Sequence, residues 1–374
     1  MTASEIIEAS KSGSSSQNSR PSSKRAPTLN TLSRAATTTA NITPATATTS
    51  PPSSSTVRKL LDQLTALHDT QQAAQKAEWD VFLKRRRQGG GGAFLGFMSK
   101  VDGEESDEEE SGAWLVRNGI PLVYRGKVWS ECSGAAEMRE PGVFGELLSS
   151  HIGQDSPTLK EIEKDVVRTM PLNVFFGGDG VGVSKLRRVL QAYSWRDPEL
   201  GYCQGMNLIT STLLLVYPEK KMRFGYLQFF SGSLIDSRAC PLVLLDYVEI
   251  HHPKVYAHLL DLNVDLPAIC FSWFLSLYTD CLPVETLFRV WDLMFAEGLD
   301  ALFRIGLAII RINEPELLAC DSTPTLYQYL EGMTARMWQA DKLMKVESEV
   351  KGLMPHDELV RRREAHVAML QSYA

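Results

Sequence analysis

Two short segments carry residues whose types and spacing suit phosphoryl chemistry. The first is SPTLKEIEKDVVRTMP, residues 156–171, in which Arg168 follows Asp165 by three positions. That spacing puts two side chains side by side on a helix, so the carboxylate can orient the guanidinium. The second is AYSWRDPELGYCQGMNLITSTLLLVY, residues 192–217, in which Gln204 stands between Tyr202-Cys203 and Gly205-Met206-Asn207. A guanidinium places positive charge on phosphoryl oxygens, and a carboxamide, donor and acceptor at once, can orient an attacking water. Transfer of a phosphoryl group to water asks little else of a protein. Each residue alone has a plainer reading. Arg168 reads as a surface arginine paired with Asp165 and with the dipole of its helix. Gln204 reads as a loop-to-helix junction whose amide satisfies nearby backbone groups.

The elements that position these residues follow from the same segments. Ser156 suits an N-cap with Pro157 at the first helical position, and Pro171 marks where that helix has already ended. At about 100° per residue, Leu159, Ile162, Val166 and Val167 make one apolar stripe. Arg168 then falls nearly opposite the stripe, with Asp165 on the adjoining polar face. Around Gln204, Asp197-Pro198 makes a turn, and Gly201 and Gly205 leave room for another backbone to approach. A long apolar helix begins immediately afterwards.

The chain as a whole reads as all-α. Residues 1–55 are dominated by Ser, Thr, Ala and Pro and lack aromatic residues, which predicts a disordered tail. Residues 56–88 are rich in helix formers and predict a helix that docks through Trp79, Phe82 and Leu83. Val57, Leu60, Leu64 and Leu67 keep heptad spacing, but two heptads fall short of a coiled coil. GGGG at 89–92 and the acidic run around Ser106 make 89–112 a linker, with Ser106 a candidate phosphorylation site. From 113 to about 345 long apolar helical segments recur, among them PLVLLDYVEIHHPKVYAHLLDL and VETLFRVWDLMF. Turn signals separate them, including Asp197-Pro198, Pro218-Glu219, Leu282-Pro283, Glu297-Gly298 and Glu314-Pro315. Residues 346–374 read as a C-terminal helical extension.

Composition narrows the function classes. A net charge of −6 argues against nucleic acid as a partner. No long uncharged apolar run appears, so no membrane span is expected, and MTASEIIEASKSGSSSQ lacks the pattern of a secretory signal. The six cysteines are scattered, which suits reduced thiols in a cytoplasmic protein rather than a disulfide framework. No carboxylate or cysteine cluster joins His251, His252 and His258, so no metal site is expected. No G-x-x-x-x-G-K-[ST] pattern is present, so the chain is not expected to bind a nucleotide in that manner.

The two segments, with a third, resemble the TBC family of Rab GTPase-activating proteins. GIPLVYRGKVW, with Arg125 and Trp129, matches the family's first signature block. Ile162, Asp165 and Arg168 match the I-x-x-D-x-x-R block, and Tyr202, Gln204, Gly205, Met206 and Asn207 match Y-x-Q-G-M-N. WFLSLYTDCLPVETLFRVWDLMFAEGLDALFR looks like the helical C-terminal half of the same domain, so the resemblance runs over about 113–320, more loosely to about 345. It implies a helical domain of two halves that lends Arg168 as an arginine finger and Gln204 as a glutamine finger to a partner. By the same resemblance Asp165 positions Arg168, while Arg125, Trp129, Tyr202 and Asn207 shape or support the site. The implied partner is a GTP-bound Rab-type GTPase in vesicle trafficking. GTP and magnesium belong to that partner, and the chain has no cofactor or independent reaction of its own. Membrane contact would be indirect, through the GTPase. A non-catalytic Rab-binding or scaffolding module of the same fold is the alternative. The chain departs from the family between VYPEKK and SLIDSRACPLVLLDYV, where only MRFGYLQFFSG replaces a longer helix-bearing stretch.

Overall fold

The computed structural model describes residues 54–88, 107–134, 140–177, 180–217 and 234–373, and among them it contains helices and no strand. The expectations for residues 1–53 of the tail, Ser106 and the 222–232 stretch lie outside the described residues, as do the side chains of the Val57–Leu67 heptads, while Ser54 and Ser55, read as tail, begin the first helix. Residues 1–62 and 63–374 separate into two units, and the contacts described below belong to the second.

The first helix, α1 (Ser54–Gln88), buries Trp79, Phe82 and Leu83, and the Trp79 indole donates to the Gly119 carbonyl at 3.1 Å. Next comes α2 (Asp107–Asn118), which begins inside the stretch read as linker. The N-terminal half continues with α3 (Leu122–Cys132), α4 (Val143–Ser150), α5 (Pro157–Val166), α6 (Val181–Arg196) and α7 (Met206–Val216). The C-terminal half holds α8 (Leu234–His251), α9 (Pro253–Asp261), α10 (Leu266–Leu275), α11 (Val284–Glu297) and α12 (Asp300–Ala319). It ends with α13 (Thr323–Met333), α14 (Ala340–Val350) and α15 (His356–Ser372). The predicted boundary at 345 therefore falls within α14, and α15 packs on α8 with Leu359 buried.

One turn signal was overridden. Glu314-Pro315 lies inside α12, whose face from Ala301 to Ile310 is buried throughout. Burial of so much apolar surface outweighs the roughly 3 kcal/mol that an interior proline costs. Conversely, the segment read as one long helix breaks at His252, because Pro253 restricts the residue before it and starts α9.

The halves meet where α11 packs against both α2 and α3. Trp129 of α3 sits in an aromatic cluster, its ring 5.0 Å from Phe295 and 5.6 Å from Trp291, centroid to centroid. A closed ring of charge ties the same region. Arg117 of α2 pairs with Glu347 at 2.7 Å and Glu297 at 2.6 Å, and Arg304 bonds the same two carboxylates. Burial disfavours the charged guanidinium of Arg117, but Glu347 and Glu297 outweigh it and hold that group above the ordinary arginine range.

Candidate functional site

The site is built from the C-terminal end of α5 and the loop that enters α7. Ser156 caps α5 by accepting the Leu159 N–H at 3.2 Å, and Pro157 opens the helix, as the sequence predicts. The helix ends at Val166, and Val167 is its C-cap. Ile162 and Val166 are buried, but Val167 is 64% exposed. The predicted stripe is thus one residue too long, because the chain leaves helical register there. Asp165 is likewise buried rather than on an open polar face.

A buried carboxylate must be compensated, and Asp165 is. Its Oδ1 accepts from Arg168 Nε at 3.0 Å and Nη2 at 2.6 Å, while its Oδ2 accepts from the Tyr202 hydroxyl at 2.6 Å. The Asp165 carbonyl accepts from the Thr169 hydroxyl at 2.7 Å. Thr169 in turn accepts from Asn207 Nδ2 at 2.8 Å, and Asn207 Oδ1 takes the Gly205 N–H at 3.0 Å. Two routes therefore join the arginine segment to the glutamine loop, one ending on each side of Gln204. Asn207, rather than the Gln204 amide, satisfies the junction's backbone.

Gln204 itself is exposed, and the Arg168 side chain is 41% exposed. The loop needs its glycines: Gly201 has φ +62° and Gly205 +109°, conformations costly for any residue with a Cβ. Met170 also lies in the left-handed region, at φ +47°, two residues after Arg168. Such strain persists only where surrounding contacts over-determine the backbone. Burial, then the bond to Asp165, pushes the Tyr202 hydroxyl far above the usual tyrosine range, so it stays a donor. Burial also raises the Cys203 thiol, which makes it a poor nucleophile.

The other two expected residues go elsewhere. Arg125 and Trp129 share no hydrogen bond with Arg168, Tyr202 or Asn207. Both turn to Asp292 of α11, with Arg125 Nε at 2.9 Å, Arg125 Nη2 at 3.0 Å and Trp129 Nε1 at 2.7 Å. The Ile120 N–H completes the shell at 3.2 Å. Asp292 is 1% exposed, so this cluster is a buried tie between the halves.

Thr169 and Asp292 were missed in the sequence. The available signals were a hydroxyl four residues after Asp165, and two donors four apart, Arg125 and Trp129, lacking a local acceptor. Among the described residues no group of three or more His, Cys, Asp or Glu could hold a metal, and no helix is long and apolar enough to cross a membrane.

Residues 123–318 match the model of the Rab-GTPase-TBC domain, a span that holds both segments of the site and Arg125, Trp129 and Asp292 of the tie. The chain belongs to the Rab-GTPase-TBC domain family. A TBC domain-containing protein of Schizosaccharomyces pombe is 44% identical over 241 residues, 62% of this chain and 31% of that relative. The human TBC1 domain family member 2B is 32% identical over 269 residues, 68% of this chain and 28% of its own length. The chain thus spans under a third of the length of these relatives. The solved Chlamydomonas flagellar RabGAP TBC domain superposes with a TM-score of 0.59 at 27% identity, covering 74% of this chain and 96% of that one. Within this TBC domain, Arg168 and Gln204 are both exposed, Arg168 held by Asp165 and the backbone on either side of Gln204 held through Tyr202 and Asn207.

Proposed function

We propose that this TBC domain accelerates GTP hydrolysis by a GTP-bound Rab-type GTPase, supplying Arg168 and Gln204 in trans. The observation that carries the reading is the shared bracing: Asp165 and Thr169 join the arginine segment to the glutamine loop, while both side chains reach solvent. Arg168 would neutralise charge that builds on the transferred phosphoryl oxygens, and Gln204 would orient the attacking water. Asp165 aligns the guanidinium beforehand, so little reorganisation is left for the reacting complex. Nucleotide and magnesium come with the GTPase, and the chain reaches endomembranes through that partner from the cytoplasm.

An arginine supplied in trans is worth about 10³–10⁵ in rate, or roughly 4–7 kcal/mol. The test is single-turnover GTP hydrolysis across a Rab panel, with wild type, Arg168→Ala and Gln204→Ala. Wild type should accelerate at least one Rab, and both folded variants should lose most of that acceleration. No acceleration across the panel defeats the reading. GTP-dependent binding indifferent to both substitutions would favour a scaffold of the same fold.

A further inference from the structure

The segment after Arg168 exposes large apolar side chains where a surface loop ordinarily exposes polar ones. Leu172 and Val174 are each 98% exposed, Val167 is 64% exposed and Val181 is 63% exposed. The loop is not loosely strung. Asn173 N–H donates to the Met170 carbonyl at 3.0 Å, and the Gly177 N–H donates to the Asn173 carbonyl at 2.6 Å. The Asn173 side chain takes the Phe175 N–H at 2.9 Å, and the Gly182 N–H donates to the Phe175 carbonyl at 2.8 Å. Phe176 anchors the turn at 2% exposure. Gly180 and Gly182 admit the Phe175 backbone so closely that a Cβ on either would meet its carbonyl oxygen at 2.4 and 2.6 Å. This last approach sets Val181 beside the same turn. A braced turn therefore holds Leu172 and Val174 outward shortly after the arginine, with exposed Val167 just before it and exposed Val181 at the start of α6.

We propose that Val167, Leu172, Val174 and Val181 form an apolar ledge that docks on a hydrophobic patch beside the nucleotide cleft of the GTP-bound GTPase. The inference rests on the catalytic reading of Arg168, and continuity with that residue identifies the occupant. A chain advances at most about 3.5 Å per residue, so the Leu172 Cα lies within about 14 Å of the Arg168 Cα. A standard interface covers about 800 Å² per partner, a disc of about 16 Å radius. A GTPase whose footprint is centred on the Arg168 guanidinium therefore has Leu172 within its reach. The turn at 170–173 draws Val174 into the same footprint. Apolar patches rimmed by polar residues mark such contacts, and a ledge held in place beforehand loses little entropy on docking.

The experiment titrates this protein against the GTP-loaded Rab that it accelerates most, in single turnover, using wild type, L172S/V174S, R168A and W338S. Trp338 is 68% exposed in the loop before α14 and serves as the control for loss of an apolar surface residue. Both ledge positions are almost wholly solvated, so the double variant should keep the wild-type melting temperature. Its half-saturating concentration should rise about 10- to 100-fold, with the saturating rate unchanged. R168A should lose the saturating rate instead, and W338S should change neither. An unchanged half-saturating concentration in L172S/V174S overturns the inference while leaving the catalytic reading intact. A wild-type dimer that the double variant abolishes, with half-saturation unchanged, would assign the ledge to a second copy. If wild type accelerates no Rab, the catalytic reading and the ledge fall together.

Discussion

Replacing Asp292 with alanine should destabilise the domain by about 3–5 kcal/mol without touching its chemistry. The carboxylate accepts four hydrogen bonds, two from Arg125 and one each from Trp129 and Ile120, at 2.7–3.2 Å. Bonds to a charged group are worth about 1.5–3 kcal/mol each, which would sum to about 6–12 kcal/mol. That sum overshoots, because the four act as one unit and are lost together. The dominant cost is the guanidinium left behind, since Arg125 is 7% exposed and cannot rehydrate. Removing one member of a buried pair costs about 3–5 kcal/mol, and the Phe288 ring 4.9 Å from Arg125 compensates only a part. In a domain of this size the melting temperature should fall by about 6–20 °C. Urea unfolding followed by tryptophan fluorescence measures the change directly. A double-mutant cycle isolates the pair: Arg125→Met with Asp292→Leu should cost at least about 2 kcal/mol less than the two single changes summed. A loss below about 1 kcal/mol for Asp292→Ala, or an additive cycle, would refute the assignment of this cluster as a structural tie. Below its melting point the variant should accelerate hydrolysis like wild type.

Three further outcomes follow from the same geometry. Tyr202→Phe removes one of the bonds that hold Asp165, so the saturating hydrolysis rate should fall about tenfold, with little change in half-saturation. Alkaline stability provides a second readout of that tyrosine. Its folded-state pKa is raised, as are those of Tyr193 and Tyr278, so the native state favours the protonated hydroxyl. The associated stability is complete below about pH 10 and is lost as pH rises beyond it. Tyr202→Phe should flatten the decline by up to about 1.4 kcal/mol per pH unit, and unfolding curves at pH 9–11 would show whether it does. Burial, then the negative charges of Glu131 and Asp292, pushes the Cys132 thiol up to about 12. At pH 8 its alkylation by iodoacetamide should run about three orders of magnitude slower in the folded protein than in urea. Peptide mapping that finds Cys132 labelled within tenfold of its unfolded rate would contradict this environment.

The sequence revealed local determinants better than distant ones. Ser156-Pro157 announced the start of α5, and the glycines at 201 and 205 announced a tight entry into α7, because caps and positive φ are written in neighbouring residues. The spacing of Asp165 and Arg168 foretold their ion pair for the same reason. Asp292 gave no such notice. Helical periodicity places it on α11, but its donors come from α3 and the segment before it, and no local pattern names a partner so far along the chain. Glu347 was hidden in the same way, sitting at a predicted domain edge yet 0% exposed between Arg117 and Arg304. Thr169 passed unnoticed because a threonine after a helix usually caps or faces water. Val167 erred in the opposite direction: periodicity cannot see where a helix stops.

The carboxylate of Asp165 has a consequence that neither Arg168 nor Gln204 has alone. One of its oxygens grips the arginine and the other grips Tyr202, while its carbonyl reaches the far side of the glutamine loop through Thr169 and Asn207. The spacing between the two prongs is therefore gauged by one residue, like the legs of a divider set by a single screw. In the proposed reaction, a nucleotide site whose geometry fits that opening would meet both prongs in one encounter, whereas a site of another width would engage only one. On that reading, selectivity among GTPases would have a mechanical component, set by the residues that brace Arg168 and the glutamine loop from behind.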